Sequence, residues 1–354
     1  MKKPLLLLLL FTFLLNSCAG SESDEGRDVV TFVKLSASEN LVLLGNSVKF
    51  NLVDNLNNDV TDKATFYING KINESGPVFK TEHLGEYNIT ATYEKFTIKP
   101  LKLSVIKPEG TIYTHRILYE DFTGTWCGNC PIAGERFNRL IAQNDKAVIV
   151  GIHGPTVQAD PYTNEASMAI ISDLKVTAYP TILLNHTKNW STANFSLDVA
   201  FGLAEIKPYS RVGIGITTKL DGNTLSGEYK VAFAQNYDNL KLIVYIVEDK
   251  IVYPQHNYFN GSGGKPILYG GVPIIPNYEN HNVLRALLTP AKGENIPSTN
   301  TQNNTEYLKN FSYTIPANFN KENVKIIVAV LNGQNEVLNV REALPNTTNV
   351  LEAL

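Results

Sequence analysis

The chain has 354 residues, enough for two or three domains, and its 43% hydrophobic and 18% charged side chains are ordinary for a soluble protein. A formal net charge of −3 provides no basic field, so no nucleic-acid partner is expected. The sequence contains three cysteines, and two of them, Cys127 and Cys130, are closely spaced.

The first 28 residues are predicted to be an export signal and a tether. Lys2 and Lys3 precede an apolar run over residues 5–15 that is too short to span a bilayer comfortably, which indicates a signal peptide over residues 1–17. The run ends in Leu-Asn-Ser-Cys, which resembles a bacterial lipobox, and the resemblance implies that Cys18 is lipidated. An ordinary signal peptide with a chance cysteine is the alternative. Residues 18–28 are small and acidic, typical of a flexible tether.

The tether also bears on location. No aspartate follows Cys18, so the familiar inner-membrane retention signal is missing, and the acidic run resembles an export signal of some Gram-negative lineages. We therefore expect a lipid-anchored protein of the outer membrane, with the cell surface as one of two possible leaflets. A simple solvated spacer explains the acidic run equally well.

Residues 29–107 are predicted to form an all-β domain. Short alternating runs recur between turn signals, at Val48–Leu52, Ala64–Ile68, Tyr87–Tyr93 and Leu101–Ile106. The pattern resembles bacterial immunoglobulin-like modules, which usually act as spacers or adhesive domains. We expect this domain to lift the next one from the membrane.

Residues 111–207 combine strand and helix patterns, which predicts an α/β domain. A β-prone run from Ile117 breaks at Gly124, and the two cysteines follow where a helix should begin. The stripe that identifies this helix is Ala133, Phe137, Leu140 and Ile141. A buried strand at Ala147–Ile152 and helices over residues 161–176 and 196–206 complete the prediction.

The two cysteines carry the candidate chemistry. Unpaired N–H groups and the dipole at a helix N-terminus favour a thiolate, so Cys127 is the predicted nucleophile. Cys130, one turn further on, is placed to resolve a mixed disulfide. Zinc would need a second pair of ligands that the sequence does not offer, so no metal and no cofactor are expected. His153 follows the buried strand, where a structural role is the commoner one.

Trp126-Cys-Gly-Asn-Cys130 resembles the thioredoxin active site, with Asn129 at the position of proline in thioredoxin itself. Asp121 lies six residues before Cys127, and Leu174–Leu184 resembles the segment that carries the family's cis-proline. The resemblance implies that Asp121 assists proton transfer and that Pro180 faces the dithiol. It also implies that the backbone of Tyr179 and the ring of Trp126 contact substrate. Glu120 should point to the opposite strand face, and the two carboxylates exchange roles if this register is wrong.

Residues 208–354 return to a period of two and predict a C-terminal β-sandwich. A long insertion over residues 253–304 is rich in glycine, proline, tyrosine and asparagine, and loops of this length are usually functional or disordered. Its aromatic side chains are candidates either for a recognition surface beside the dithiol or for a cover over the sandwich edge.

Three segments resemble the outer-membrane-protein-28-related lipoproteins over about residues 112–345: Glu120–Pro131, Asn280–Ala286 and Val337–Ala343. The resemblance implies location more than mechanism, because that family lacks a settled biochemical role. Arg285 and Arg341 are candidates for recognition or, more commonly, for salt bridges between β-layers.

Taken together, the patterns predict a multidomain α/β plus all-β protein. A thioredoxin-like α/β domain would be flanked by an N-terminal immunoglobulin-like β-sandwich and a C-terminal β-sandwich. The predicted activity is thiol–disulfide exchange on extracytoplasmic protein thiols or disulfides, with its direction left open.

Four alternatives remain. In the first, Cys127 and Cys130 form only a structural disulfide, although a bridge that closes a four-residue loop stabilises a protein weakly. The protein would be a non-catalytic surface adhesin or ligand-capture lipoprotein. It would belong with cytochrome-maturation proteins, which carry a similar core motif. A peroxidase is a weaker competitor, because the loop typical of that class is absent.

Overall fold

The computed structural model describes residues 29–354, so Cys18 and the predicted signal peptide lie outside the described residues. Residues 33–106 contain nine strands: β1 (Val33–Ala37), β2 (Leu41–Leu43), β3 (Ser47–Asp54), β4 (Thr65–Ile68), β5 (Lys71–Ile72), β6 (Val78–Lys80), β7 (Gly85–Tyr93), β8 (Phe96–Thr97) and β9 (Leu101–Ile106). They form two sheets, ordered β1-β3-β6 and β2-β9-β7-β4-β5, with β8 paired to β7. Alternate residues of both sheets bury one shared core that includes Phe50, Leu52 and Phe66.

The rest of the described chain contains fifteen strands and three α-helices. The helices are α1 (Pro131–Gln143), α2 (Glu165–Asp173) and α3 (Ala200–Leu203). The first seven strands are β10 (Ile117–Thr123), β11 (Ala147–His153), β12 (Thr181–Leu184), β13 (Lys188–Asn189), β14 (Val212–Asp221), β15 (Thr224–Phe233) and β16 (Lys241–Glu248). The other eight are β17 (Ile251–His256), β18 (Ile274–Asn280), β19 (Val283–Leu287), β20 (Glu294–Asn295), β21 (Thr305–Thr314), β22 (Val324–Leu331), β23 (Val337–Ala343) and β24 (Thr348–Asn349). Short 3-10 helices lie at Thr61–Lys63, Ser262–Gly264, Tyr269–Gly271, Ser298–Asn300 and Lys321–Asn323.

The predicted fold class is wrong. The described chain is mostly β, with 44% strand and 13% helix, and residues 111–207 form no clear thioredoxin-like α/β domain. Strands β10 and β11 belong instead to a nine-stranded mixed sheet ordered β13-β12-β10-β11-β19-β16-β22-β23, with β20 paired to β16. The cysteine-bearing segment and the C-terminal strands therefore share one sheet.

The physical reason for this difference is strand β19. The sequence pattern assigned residues 253–304 to a loop, but Val283–Leu287 forms a strand that pairs with β11 on one side and β16 on the other. Asn282 fixes the junction: its carbonyl accepts from the Gly151 N–H at 3.0 Å and its side-chain amide donates to the Ile149 carbonyl at 2.9 Å. An open edge of β11 is thereby paired, which removes its exposed backbone donors and acceptors.

Each face of the nine-stranded sheet has its own cover. One face packs against α1 and α3 at one end and, at the other, against a four-stranded sheet ordered β21-β15-β14-β24. The opposite face packs against α2. Adjacent residues of β10 therefore project into different cores, and Tyr119 lies with α1 whereas Leu118 lies with α2.

Two helix predictions need correction. The helix expected over residues 196–206 is only one turn, Ala200–Leu203, and its N-cap is Val199 rather than Ser196. In α1, Ala133, Phe137 and Leu140 are buried as their spacing predicts, but Ile141 is 46% exposed. Within residues 29–354, no helix has the length and apolar character needed to cross a membrane.

Candidate functional site

The two cysteines form a disulfide at the start of α1. The S–S distance is 2.04 Å and the Cα atoms are 5.4 Å apart. Cys130 is the N-cap residue of α1, and Pro131 occupies the first turn, where its missing N–H costs no hydrogen bond. The Cys127 N–H donates to the Gly124 carbonyl at 2.9 Å, and the Cys130 N–H donates to the Cys127 carbonyl at 3.1 Å. Successive turns therefore lead from β10 into the helix.

The disulfide lies beneath part of the insertion. Cys127 is 5% exposed and Cys130 is 1% exposed. The Tyr258 N–H donates to the Gly128 carbonyl at 2.7 Å, and the Tyr258 ring packs on Gly128 so closely that a Cβ at this position would come within 2.5 Å of it. A glycine between the cysteines is thus required by the ring above it.

Gln255, three residues before Tyr258, binds the same loop. Its buried side-chain amide donates to the carbonyls of Gly124 at 3.1 Å and Cys127 at 2.9 Å. The neighbouring His256 N–H donates to the Thr125 carbonyl at 2.9 Å. The insertion and the cysteine loop are therefore joined by backbone and side-chain hydrogen bonds, each of which typically contributes about 1 kcal/mol.

The three predicted substrate-contact residues lie together. The Tyr179–Pro180 peptide bond is cis. The Trp126 ring meets the Tyr179 ring edge-on, with centroids 5.4 Å apart, and its indole N–H donates to the Gly154 carbonyl at 3.1 Å. Trp126, Tyr179 and Pro180 are each partly exposed. Their rings and backbone are accessible beside the cysteine loop.

Asp121 projects from β10 toward the face that carries α1, as the alternation of side chains predicts, since it lies two residues after Tyr119, which packs with α1. Its Oδ1 atom is buried without a hydrogen-bond partner. Burial raises the pKa of Asp121 to about 7, although His281 acts to lower it. A carboxyl group in this state can take up or release a proton near neutral pH.

Glu120 projects into the opposite core. It is fully buried, its Oε2 accepts from the His186 N–H at 3.1 Å, and the His186 Nε2 lies 2.9 Å from the Tyr245 hydroxyl. Burial raises the pKa of Glu120 to about 8 and lowers the pKa of His186 to about 4. Both side chains are therefore neutral at pH 7.

Asp160 ties the cysteine loop to the segment after β11. Its Oδ2 accepts from the Thr125 N–H at 2.6 Å, and its Oδ1 lies 3.1 Å from Nδ1 of His153. Burial alone would raise the pKa of Asp160, but the hydrogen bonds from His153, Thr125 and Tyr162 hold it below its usual value. His153, a sequence candidate, is thus placed to orient Asp160.

Sequence reasoning missed Asp160, Gln255 and Tyr258. For Gln255 and Tyr258 the signal was compositional, because the insertion is rich in tyrosine, and no spacing rule links residues about 130 positions apart. Asp160 lies 35 residues after Thr125 in a segment without a recognisable motif. Arg285 pairs with Glu248 at 2.7 Å, and Arg341 pairs with Glu352 at 2.6 Å, so both arginines are engaged in ion pairs. Among residues 29–354, no cluster of three or more metal-ligating side chains occurs.

Comparison with known proteins identifies one family model, outer membrane protein Omp28, which matches residues 167–349. This is just over half of the chain, from α2 to the end of β24, and it begins after the cysteines. No curated protein sequence matches.

Three solved structures resemble the chain. HBP35 of Porphyromonas gingivalis is 14% identical, with a TM-score of 0.48 over 67% of this chain and 77% of that one. A structural-genomics protein of Agrobacterium tumefaciens is 11% identical, with a TM-score of 0.38 over 67% of this chain and 97% of that one. A domain of the outer membrane lipoprotein Omp28 from Porphyromonas gingivalis is 18% identical, with a TM-score of 0.25 over 39% of this chain and 89% of that one.

Proposed function

Because this chain belongs to the Omp28 family of outer membrane proteins, we propose that it is anchored in the outer membrane by a lipid on Cys18. We also propose that it catalyses thiol–disulfide exchange on extracytoplasmic proteins. The observation that carries the proposed activity is the Cys127–Cys130 disulfide at the N-terminus of the 13-residue helix α1. A thiolate at this position is favoured by the helix dipole and the free N–H groups.

The proposed exchange begins with reduced Cys127. Its thiolate attacks a substrate disulfide, a mixed disulfide forms, and one substrate sulfur leaves as a thiolate. Cys130 then loses its proton and attacks the Cys127 sulfur, which releases the second substrate sulfur and restores the Cys127–Cys130 disulfide. The substrate gains two electrons, and the reverse sequence oxidises a substrate dithiol. Cys127 is assigned the first attack because it is the more exposed cysteine.

Asp121 is proposed to exchange the proton of the buried thiol. The orphaned Oδ1 atom and the raised pKa of this carboxyl, about 7, support that role. Trp126 and the cis Tyr179–Pro180 segment are proposed to contact the substrate chain, because they remain partly exposed beside the loop.

The test is to trap the mixed disulfide. Full-length Cys130→Ser protein is incubated with a disulfide-bonded model protein, and the adduct is mapped by mass spectrometry. We expect an adduct through Cys127, and none with Cys127→Ser. If Cys130→Ser protein forms no adduct and the wild-type disulfide stays oxidised at every glutathione ratio, the proposed activity is wrong.

The lipid anchor has a separate test. Cells expressing the protein are labelled with a palmitate analogue, and Cys18→Ser is the control. Label on the wild type alone supports the anchor, whereas label on neither protein overturns it. Protease treatment of intact cells then distinguishes the surface leaflet from the periplasmic one.

One observation favours the alternative of a ligand-capture protein. The insertion that covers the disulfide exposes large apolar side chains, each at least 37% accessible: Tyr253, Tyr258, Ile267, Tyr269, Val272 and Ile274. Exposed apolar residues concentrated in one segment are typical of binding surfaces. On this alternative, Cys127→Ser leaves ligand capture unchanged.

A further inference from the structure

A lysine from the insertion lies directly on the cysteine loop. The Lys265 ammonium donates to the side-chain carbonyl oxygen of Asn129 at 2.9 Å. Asn129 is one of the two residues that separate Cys127 from Cys130. The contact joins positions 136 residues apart, so the fold, and not the local sequence, brings this cation to the loop between the two cysteines.

Aromatic rings hold the ammonium in place. Its nitrogen lies 5.1 Å from the Phe195 ring centroid, 5.5 Å from that of Tyr258 and 5.4 Å from that of Phe259. Lys265 forms no ion pair with any residue of the described part of the chain. Its charge therefore has no carboxylate to neutralise it and lies in surroundings less polar than water, where electrostatic interactions are stronger.

The loop that presents Lys265 is itself anchored. The Asn257 side-chain amide donates to the carbonyls of Leu268 at 3.1 Å and Val272 at 2.9 Å, and the Leu268 N–H donates to the Phe259 carbonyl at 3.0 Å. Phe259 and Leu268 pack with Ile132 at the start of α1. The ammonium is thus held at a defined place above the first turn of the helix.

We propose that Lys265 sets the redox equilibrium of the Cys127–Cys130 pair by stabilising the thiolate of its reduced form. This inference rests on the proposed exchange activity. A nearby positive charge favours the charged form of a thiol and lowers its pKa. Stabilising the reduced form makes a disulfide a stronger oxidant. Lys265 is a positioning residue, because it acts on the sulfurs through its field.

The other charges around the loop do not replace this effect. Asp121 is neutral or negative, the Asp160–His153 pair is bonded to Thr125 N–H, and Glu135 is paired with Arg139 on α1. His256 is exposed on the adjacent strand β17. Among these groups, Lys265 supplies the unpaired cation that touches the residues between the cysteines.

The measurement is equilibration of the full-length protein with glutathione. One glutathione thiolate attacks the disulfide to form a mixed disulfide and release a cysteine thiolate; a second attacks the glutathione sulfur, which gives oxidised glutathione and the second thiol. The equilibrium constant follows from alkylation of the free thiols, and the pKa of Cys127 follows from the pH dependence of the alkylation rate.

The variants are Lys265→Met, Lys265→Gln and Lys265→Arg, with the exposed Lys63→Met as the matched control for net charge. We expect Lys265→Met and Lys265→Gln to lower the equilibrium constant for reduction about tenfold, equivalent to about 30 mV, and to raise the pKa of Cys127. Lys265→Arg and Lys63→Met should match the wild type. The glutamine variant retains a hydrogen-bond donor to Asn129 if the methionine variant fails to fold.

The outcomes separate this inference from the proposed function. If the wild type is reversibly reduced but Lys265→Gln has the same equilibrium constant and pKa, the inference is wrong and the exchange activity stands. If Lys265→Arg changes as much as Lys265→Gln, packing rather than charge is responsible, and the inference is again wrong. If the wild-type disulfide is never reduced, the proposed function itself is overturned.

Discussion

The two faces of strand β10 carry neighbouring carboxyl groups with different surroundings. Glu120 enters the core under α2, where His186 and Tyr245 form a polar network around it. Asp121 enters the face shared with α1. Each carboxyl group has one buried oxygen without a hydrogen-bond partner, Oε1 of Glu120 and Oδ1 of Asp121. Burial raises the pKa of both, to about 8 and about 7. A raised pKa by itself therefore does not identify a catalytic acid, because only Asp121 shares a face with the helix that begins at the disulfide.

The largest expected effect on the exchange rate comes from removing the first cysteine of the disulfide. Cys127→Ser should abolish exchange with a protein disulfide, whereas Glu120→Gln should leave the rate essentially unchanged, since Glu120 lies on the other face. Both rates are measured by reduction of a fluorescent disulfide substrate. A large rate loss in the glutamine variant with its fold intact would mean that the two carboxyl groups have exchanged roles.

Asp121→Asn is expected to have the next largest effect. General acid–base groups typically contribute about a hundredfold or more to rate, and asparagine cannot transfer a proton. The pH–rate profile of the wild type should bend near pH 7, and the bend should be lost in the variant. A profile that keeps its bend in Asp121→Asn would assign the proton transfer to another group.

The pH dependence of the unfolding free energy should reveal the raised pKa of Glu120. Its pKa is raised from 4.5 in the unfolded chain to about 8 in the folded one, so above pH 4.5 the unfolded state loses a proton that the folded state keeps. The contribution of Glu120 to stability is therefore full below pH 4.5 and falls as pH rises toward 8, by about 1.4 kcal/mol per pH unit.

Glu120→Gln mimics the protonated side chain and removes this dependence. The free energy of unfolding in urea, measured from pH 5 to pH 8, should fall less steeply in the variant than in the wild type. Asp121→Asn is the matched comparison. The carboxyl group of Asp121 makes stability depend on pH over a narrower range, which ends near pH 7. Equal slopes for the wild type and Glu120→Gln would mean that Glu120 is ionised in the folded protein.

The smallest expected effect concerns the cover over the disulfide. Tyr258→Ala removes the ring from Gly128 and should speed reduction by a small thiol such as dithiothreitol several-fold, because the ring packs on the residue next to Cys127, which is only 5% exposed. Tyr253→Ala, a second exposed tyrosine of the same insertion, is the control. Unchanged reduction in Tyr258→Ala would show that the ring does not limit access.

Local pattern was sufficient for the elements around the cysteines. The β-prone run, the break at Gly124 and the apolar stripe predict strand β10 and helix α1, and the structure contains both. The alternation of side chains also places Glu120 and Asp121 on opposite faces. These predictions succeed because strand and helix periods are properties of a few consecutive residues.

The prediction of a thioredoxin-like domain was wrong because local sequence pattern does not show which strand pairs with β11. Whether β11 ends a small sheet or continues into a larger one depends on a pairing partner, and β19 lies 130 residues further along the chain. Val283–Leu287 is short, and its apolar residues are equally compatible with a loop that packs on a sheet. Only the backbone hydrogen bonds of Gly151 and Asn282 decide the matter.

By itself, the sequence determined the pair of cysteines at a helix start, the acidic residues before them and the alternation that separates those residues. The tertiary structure alone decided what surrounds the disulfide: Gln255 on its carbonyls, Tyr258 over Gly128 and Lys265 on Asn129. The physical reason is that hydrogen bonds and charge act over a few ångströms in space, and residues more than a hundred positions apart come that close only in the folded chain.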